Sequence, residues 1–138
     1  MDKNIKVILA DDHQNILNSI SSLLRNSPHI EVIATAENGE KAVALAQSTQ
    51  ADILILDIDM PKLNGLQVSE KLQSLELTVL IVILSIYDEP SIVRAAFERG
   101  ARGYVLKNRA ASDLVEAIWK VNGGEIFVSE PIAEYINI

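Results

Sequence analysis

At four places in the chain a polar or charged side chain comes directly after an apolar run. Asp11 and Asp12 follow Ile5–Ala10, Asp57 follows Ile53–Leu56, Ser85 follows the stretch TVLIVIL, and Lys107 follows Gly103–Leu106. Asp59 stands two residues beyond Asp57 in ILILDIDMPKLNG. Carboxylates brought close together repel, and a hard cation is the usual remedy. Magnesium takes oxygen ligands, keeps several waters and often shares its sphere with phosphate. A lysine adds a fixed positive charge, and a serine adds a hydroxyl donor. An aspartate nucleophile, a metal and two donors for equatorial oxygens make up the equipment of phosphoryl transfer. No histidine stands where it could act as base, and a carboxylate attacking phosphorus needs none.

Each residue alone is weak evidence. Asp12 alone could be a helix cap, and Lys107 or Ser85 alone could be ordinary loop residues. His13 is expected in the first turn of the first helix rather than as a metal ligand, His29 in a surface loop, and Met60 in packing. The significance lies in four strand ends carrying this set together.

The elements that must position these residues follow from periodicity. Ile5–Ala10 is a short strand. Ile16, Leu17, Ile20, Leu23 and Leu24 repeat at helical spacing, with Asp12 placed as cap and Ser27–Pro28 as stop. Glu31 to Ala36 is a second strand, Asn38–Gly39 a turn, and Ala42, Val43, Leu45 and Ala46 mark an alanine-rich helix. The isoleucine-rich run before Asp57 suits a strand buried on both faces, and Pro61 with Asn64–Gly65 suits a turn. A third helix runs from about Gly65 to Leu75, and Thr78 to Leu84 is the most apolar strand. Pro90 opens a fourth helix that Gly100 ends. A brief strand, Gly103 to Leu106, precedes a fifth helix over about Ser112 to Asn122. Strands alternating with helices through short connections predict a parallel sheet with helices on both faces. All the polar strand ends then meet on one edge, where open α/β sheets place ligands.

The chain has 138 residues, which fits one domain, and 49% of them are apolar, enough for a full core. A formal charge of −7 argues against direct binding of nucleic acid by this body. Without cysteine there is no disulfide and no thiolate metal site. The opening MDKNIKVILADD is too poor in apolar residues for a signal peptide, and no run reaches the roughly 18 that a membrane span needs. The expected setting is soluble and cytoplasmic.

The acidic pair Asp11–Asp12, Asp57 in LDIDMPKLNG, Ser85 after the fourth strand, Gly103–Tyr104 and Lys107 together resemble the receiver domain of two-component response regulators. The likeness covers Ile5 to about Asn122. It implies a flavodoxin-like, doubly wound five-stranded sheet in the order 2-1-3-4-5. It also implies that Asp57 accepts a phosphoryl group from a sensor histidine kinase. Asp11 or Asp12, Asp57 and the backbone carbonyl of Asp59 would bind Mg²⁺, and Ser85 and Tyr104 would form a switch pair that alters the surface of helix four, strand five and helix five. Such a domain catalyses only its own phosphorylation and dephosphorylation. The opening ADDH and the ending LVEAIWKVNGGEIFVS resemble the NarL/LuxR-type group, whose members carry a helix-turn-helix DNA-binding domain after the receiver.

Two departures stand out. Asn108 follows Lys107 where many receivers have proline, so a cis bond there would cost more. The switch hydroxyl is serine rather than threonine, without the methyl that restricts the rotamer. Two other classes compete. An aspartate-nucleophile phosphatase or hydrolase would want a second aspartate two residues on, and Asp59 has that spacing, but no cap domain is inserted. A flavodoxin-like FMN binder would have its phosphate loop replaced by two repelling aspartates.

Two further expectations concern the end of the chain. Trp119 lies one residue off the buried stripe of helix five, beside Val115, which suits a self-association face in a possible homodimer. Residues 1–124 are read as the receiver and 125–138 as a linker, or the start of a linker helix, toward a DNA-binding domain. In that linker Ser129 would cap, Pro131 would open, and Ile132, Tyr135 and Ile136 would line one face of a short helix ending at Ile138. A fragment of a longer transcriptional regulator is the expected status.

Overall fold

The computed structural model describes residues 4–136. Its elements are β1 (Ile5–Ala10), α1 (Gln14–Arg25), β2 (Ile30–Ala36), α2 (Gly39–Ser48), β3 (Ile53–Leu56), α3 (Gly65–Ser74), β4 (Leu80–Ser85), α4 (Pro90–Glu98), β5 (Gly103–Leu106), α5 (Ala110–Asn122) and β6 (Phe127–Val128). Two 3₁₀ turns, Lys107–Arg109 and Glu130–Tyr135, complete the set.

Every strand pairing is parallel, and the sheet order is β2-β1-β3-β4-β5-β6. The expected order 2-1-3-4-5 is therefore present with a sixth strand added outside β5. β6 has only two residues, too few to show an alternating pattern in sequence.

The central strands β1, β3, β4 and β5 are buried almost throughout, because helices cover both faces. Alternate residues feed two cores. Val7, Leu9, Ile55, Val82 and Val105 pack with Leu17, Leu24, Leu114 and Ile118 of α1 and α5. On the other face Ile8, Leu54, Leu56, Ile83 and Tyr104 pack with Val68, Leu72 and Val93 of α3 and α4. Met60 joins this second core as a packing residue.

Several local details differ from the sequence expectation. Asp12 does not cap α1. His13 holds the N-cap position without a side-chain cap bond, and Asp11 Oδ1 accepts from the His13 amide at 2.9 Å. The carboxylate nearer the strand end reaches the helix start, while Asp12 is exposed. At the C-terminus Ser129 also does not cap. Its hydroxyl turns inward, and the segment after it is a 3₁₀ turn rather than an α-helix. The expected end of that helix at Ile138 lies outside the described residues. No cis peptide bond occurs among the described residues.

The turn after Asp57 is tightly built. Asn64 and Gln67 form a reciprocal capping box at the start of α3, a device that satisfies two orphan helix donors. The Gly65 amide donates to the Ile58 carbonyl at 2.8 Å. A Cβ on Gly65 would stand 2.3 Å from the carbonyl oxygen of Asp57. Glycine is required here because α3 leans on the backbone of Asp57 itself. Gly65→Ala should therefore cost about 2–3 kcal/mol by overpacking and displace Asp57. Urea denaturation would detect the loss, and wild-type stability would contradict this packing account.

Candidate functional site

The parallel register places the chemistry. Ala10 pairs with Leu56 at the ends of β1 and β3, and the Asp57 amide donates to the Ala10 carbonyl at 2.9 Å. The next residues, Asp11 and Asp57, thus come side by side. Ser85 pairs with Leu106 at the end of β4 and β5, so Lys107 leaves the sheet one step beyond Ser85. Asp11, Asp57 and Ser85 are all buried.

Lys107 Nζ bridges the two carboxylates, 2.9 Å from Asp11 Oδ2 and 3.3 Å from Asp57 Oδ1. The 2.9 Å contact lies off the hydrogen-bonding angle, and Asp57 Oδ2 has no hydrogen-bond partner among the described residues. Burial pushes the Asp57 carboxyl up to about 6, and the charge of Asp11 adds to this, although Lys107 pulls the other way. Burial alone would lower the Lys107 ammonium. The close contact with Asp11 and the charges of both carboxylates outweigh it, so the lysine is raised and stays protonated. One lysine faces two buried carboxylates, which leaves the cluster short of positive charge.

Asp11, Asp12, His13 and Asp57 each offer a ligand atom, and these atoms lie within 4.8 Å of one another. Three carboxylates, two of them with a buried oxygen that lacks a hydrogen-bond partner, fit a hard divalent cation. The sequence reading missed the placement of His13. Its Nδ1 lies 3.2 Å from Asp11 Oδ1 and 3.0 Å from Asp12 Oδ1, a consequence of His13 standing at the N-cap of α1 rather than in its first turn. The cluster opens into a cleft of about 650 Å³ lined by Asp12, Asn15, Asp57, Asp59, Ile86 and Lys107. Ile86 is 69% exposed and gives the cleft an apolar rim.

Ser85 and Tyr104 are joined through a residue the sequence reading did not single out. Ser85 Oγ accepts from the Tyr87 amide at 3.0 Å. The Tyr87 carbonyl accepts from the Tyr104 hydroxyl at 2.7 Å. The Tyr87 phenol donates to Asp59 Oδ2, a residue of the cleft. Tyr104 is fully buried, and burial pushes its phenol up to about 12. Aromatic residues near strand ends are ordinary, so only spacing from Ser85 could have drawn attention to Tyr87.

Trp119 is 47% exposed on α5. Its ring meets that of His29 edge-on, with centroids 6.4 Å apart. No helix among the described residues is long and apolar enough to cross a membrane.

Residues 7–119 match the response regulator receiver domain family. The nitrate/nitrite response regulator protein NarL of Escherichia coli K12 is 36% identical over 91% of this chain and 58% of its own length. The transcriptional regulatory protein DegU of Brevibacillus brevis is 35% identical over 92% of this chain and 54% of its own length. The chain thus spans little more than half the length of these relatives. Among solved structures, the signal receiver domain of NarL from Mycobacterium tuberculosis superposes with a TM-score of 0.86 at 30% identity, covering 89% of this chain and 99% of that one. Strand order, polar strand ends and family match agree, and the chain belongs to the response regulator receiver domain family, in its NarL/LuxR-type group.

Proposed function

We propose that Asp57 is the phosphoacceptor and that a sensor histidine kinase is its donor. The observation that carries this reading is a buried aspartate facing a cleft, beside a second aspartate and a lysine held to both. A carboxylate oxygen of Asp57 forms a bond to phosphorus. The bond from phosphorus to the donor's imidazole nitrogen, or to the acyl oxygen of acetyl phosphate, breaks, and its electron pair leaves with the donor. At a pH above about 6 the Asp57 carboxylate is ionised and needs no base. Lys107 and the Ser85 hydroxyl donate to the equatorial oxygens. Asp11, Asp12, Asp57 and the Asp59 backbone carbonyl would hold Mg²⁺, which would supply charge neutralisation to the phosphoryl oxygens. The chain thereby catalyses its own phosphorylation and dephosphorylation and no other reaction.

The phosphoryl group then draws Ser85 toward it. The Tyr87 amide loses its acceptor, and the bond from Tyr104 to the Tyr87 carbonyl is disturbed in turn, altering the α4, β5 and α5 surface. Residues 125–138 lead from the receiver toward a helix-turn-helix domain that carries DNA binding and transcriptional control. The acidic body leaves phosphate contacts to that basic partner. The setting is cytoplasmic.

The test is intact mass after incubation with acetyl phosphate and Mg²⁺. One added phosphoryl group is expected, and an unmodified chain would overturn the reading.

Trp119 and Val115 form a self-association face on α5. Trp119→Ala should sediment as monomer at concentrations where the phosphorylated wild type dimerises. Identical sedimentation of the two would remove the interface.

A further inference from the structure

Residues 127–136 lie across the part of the fold that phosphorylation is read to move. The Phe127 amide donates to the Arg102 carbonyl and the Ser129 amide to the Tyr104 carbonyl, at 3.1 and 3.0 Å. Ile132 is buried in the same core as Tyr104 and Val93. Arg94 of α4 donates through Nε to the Tyr135 carbonyl at 3.2 Å.

A second tie runs to the lysine end of the site. Ser129 is fully buried. Its Oγ accepts from the Leu106 amide at 3.1 Å and donates to Asp113 Oδ2 at 2.8 Å. Arg109 Nε donates to the same oxygen at 2.9 Å, and Ser112 Oγ to Asp113 Oδ1 at 3.1 Å. Burial would raise the Asp113 carboxyl, but the bonds from Arg109, Ser129 and Ser112 outweigh it and hold it low. Ser129 is thus the pin between the segment, the end of β5 and the Lys107–Arg109 turn.

Both hydrogen-bond donors to the phosphoryl oxygens, Ser85 and Lys107, are therefore connected to one segment. Ser85 reaches it through Tyr87, Tyr104 and the Tyr104 carbonyl. Lys107 reaches it through its neighbour Leu106 and through Arg109. Movement of Ser85 and Lys107 toward a phosphoryl group pulls on both anchors at once.

We propose that residues 127–136 are a reversible strap, docked through Ser129, whose release is linked to occupancy of the phosphoryl site. The proposal rests on the receiver reading and names its output: the strap, continuous with the chain that follows, carries the signal. Linkage is reciprocal, so loosening the strap must favour occupancy of the site.

The experiment uses the full chain with Mg²⁺ and beryllofluoride as the phosphoryl probe. Amide exchange across 127–136 and the probe's dissociation constant are measured for wild type, Ser129→Ala and the exposed control Glu134→Gln. Wild type should lose at least about tenfold of its protection there on saturation. Ser129→Ala should lose protection without the probe and bind it several-fold more tightly, while Glu134→Gln follows wild type. Wild-type protection unchanged at saturation overturns the strap, whatever the variants do. So does a Ser129→Ala strap that has lost protection while the probe binds with wild-type affinity. Wild type that fails to bind the probe at all overturns the receiver reading as well, which separates the two failures.

Discussion

Asp57→Asn should abolish labelling by acetyl phosphate and at the same time make the fold more stable at neutral pH. The first effect follows from removing the nucleophilic oxygen. The second follows from the burial that raises Asp57 from 3.8 to about 6. For a carboxyl raised on folding, the native state binds more protons than the unfolded state between those two values. Stability therefore falls as pH rises through the window, and the full deficit stands above about pH 6. Its size is about 1–3 kcal/mol, taking each pKa unit as roughly 1.4 kcal/mol. In EDTA, the stability difference between Asp57→Asn and wild type should grow from near zero at about pH 4 to this value near pH 7. Urea titrations at several pH values measure it. A variant less stable than wild type at pH 7 would contradict the account of the site's electrostatics.

Lys107→Met should act in the opposite direction on stability and in the same direction on labelling. The substitution keeps the apolar stem and removes the charge. Lys107 is only 15% exposed at its side chain and is the ammonium paired with both Asp11 and Asp57. Removing one member of a buried ion pair leaves uncompensated charge and typically costs about 3–5 kcal/mol. Here the proton uptake that Asp57 then undergoes relieves part of this, so about 2–3 kcal/mol is the expected loss near pH 7. Losing one preorganised donor to the developing phosphoryl charge should slow labelling by about 10²–10³. Timed mass spectra with acetyl phosphate measure the rate. Labelling within about threefold of wild type would remove Lys107 from the transfer step.

The positions of Asp11, Asp57, Ser85 and Lys107 were legible in sequence because each ends an apolar run. A parallel sheet places such ends along one edge, and the register of β1 with β3 and of β4 with β5 leaves little freedom. The side-chain bonds among them were less legible. Which of Asp11 and Asp12 meets the helix start depends on a single-residue offset that periodicity does not fix. Ser129 reads locally as a helix cap, but a buried Asp113 that needs donors captures its hydroxyl. Asp113 lies on α5 and Ser129 beyond its end, so the pairing belongs to tertiary packing. β6 escaped because it has two residues, and Tyr87 because its role lies as much in its backbone as in its phenol.

The most direct measurement locates the phosphoryl group. Borohydride reduction converts an aspartyl acyl phosphate to homoserine, which tandem mass spectrometry reads at the modified position. After treatment with acetyl phosphate and Mg²⁺, homoserine is expected at position 57 and nowhere else. Homoserine at Asp11, Asp12 or Asp59, or a phosphoryl group that survives on serine or histidine with position 57 unchanged, would contradict the assignment.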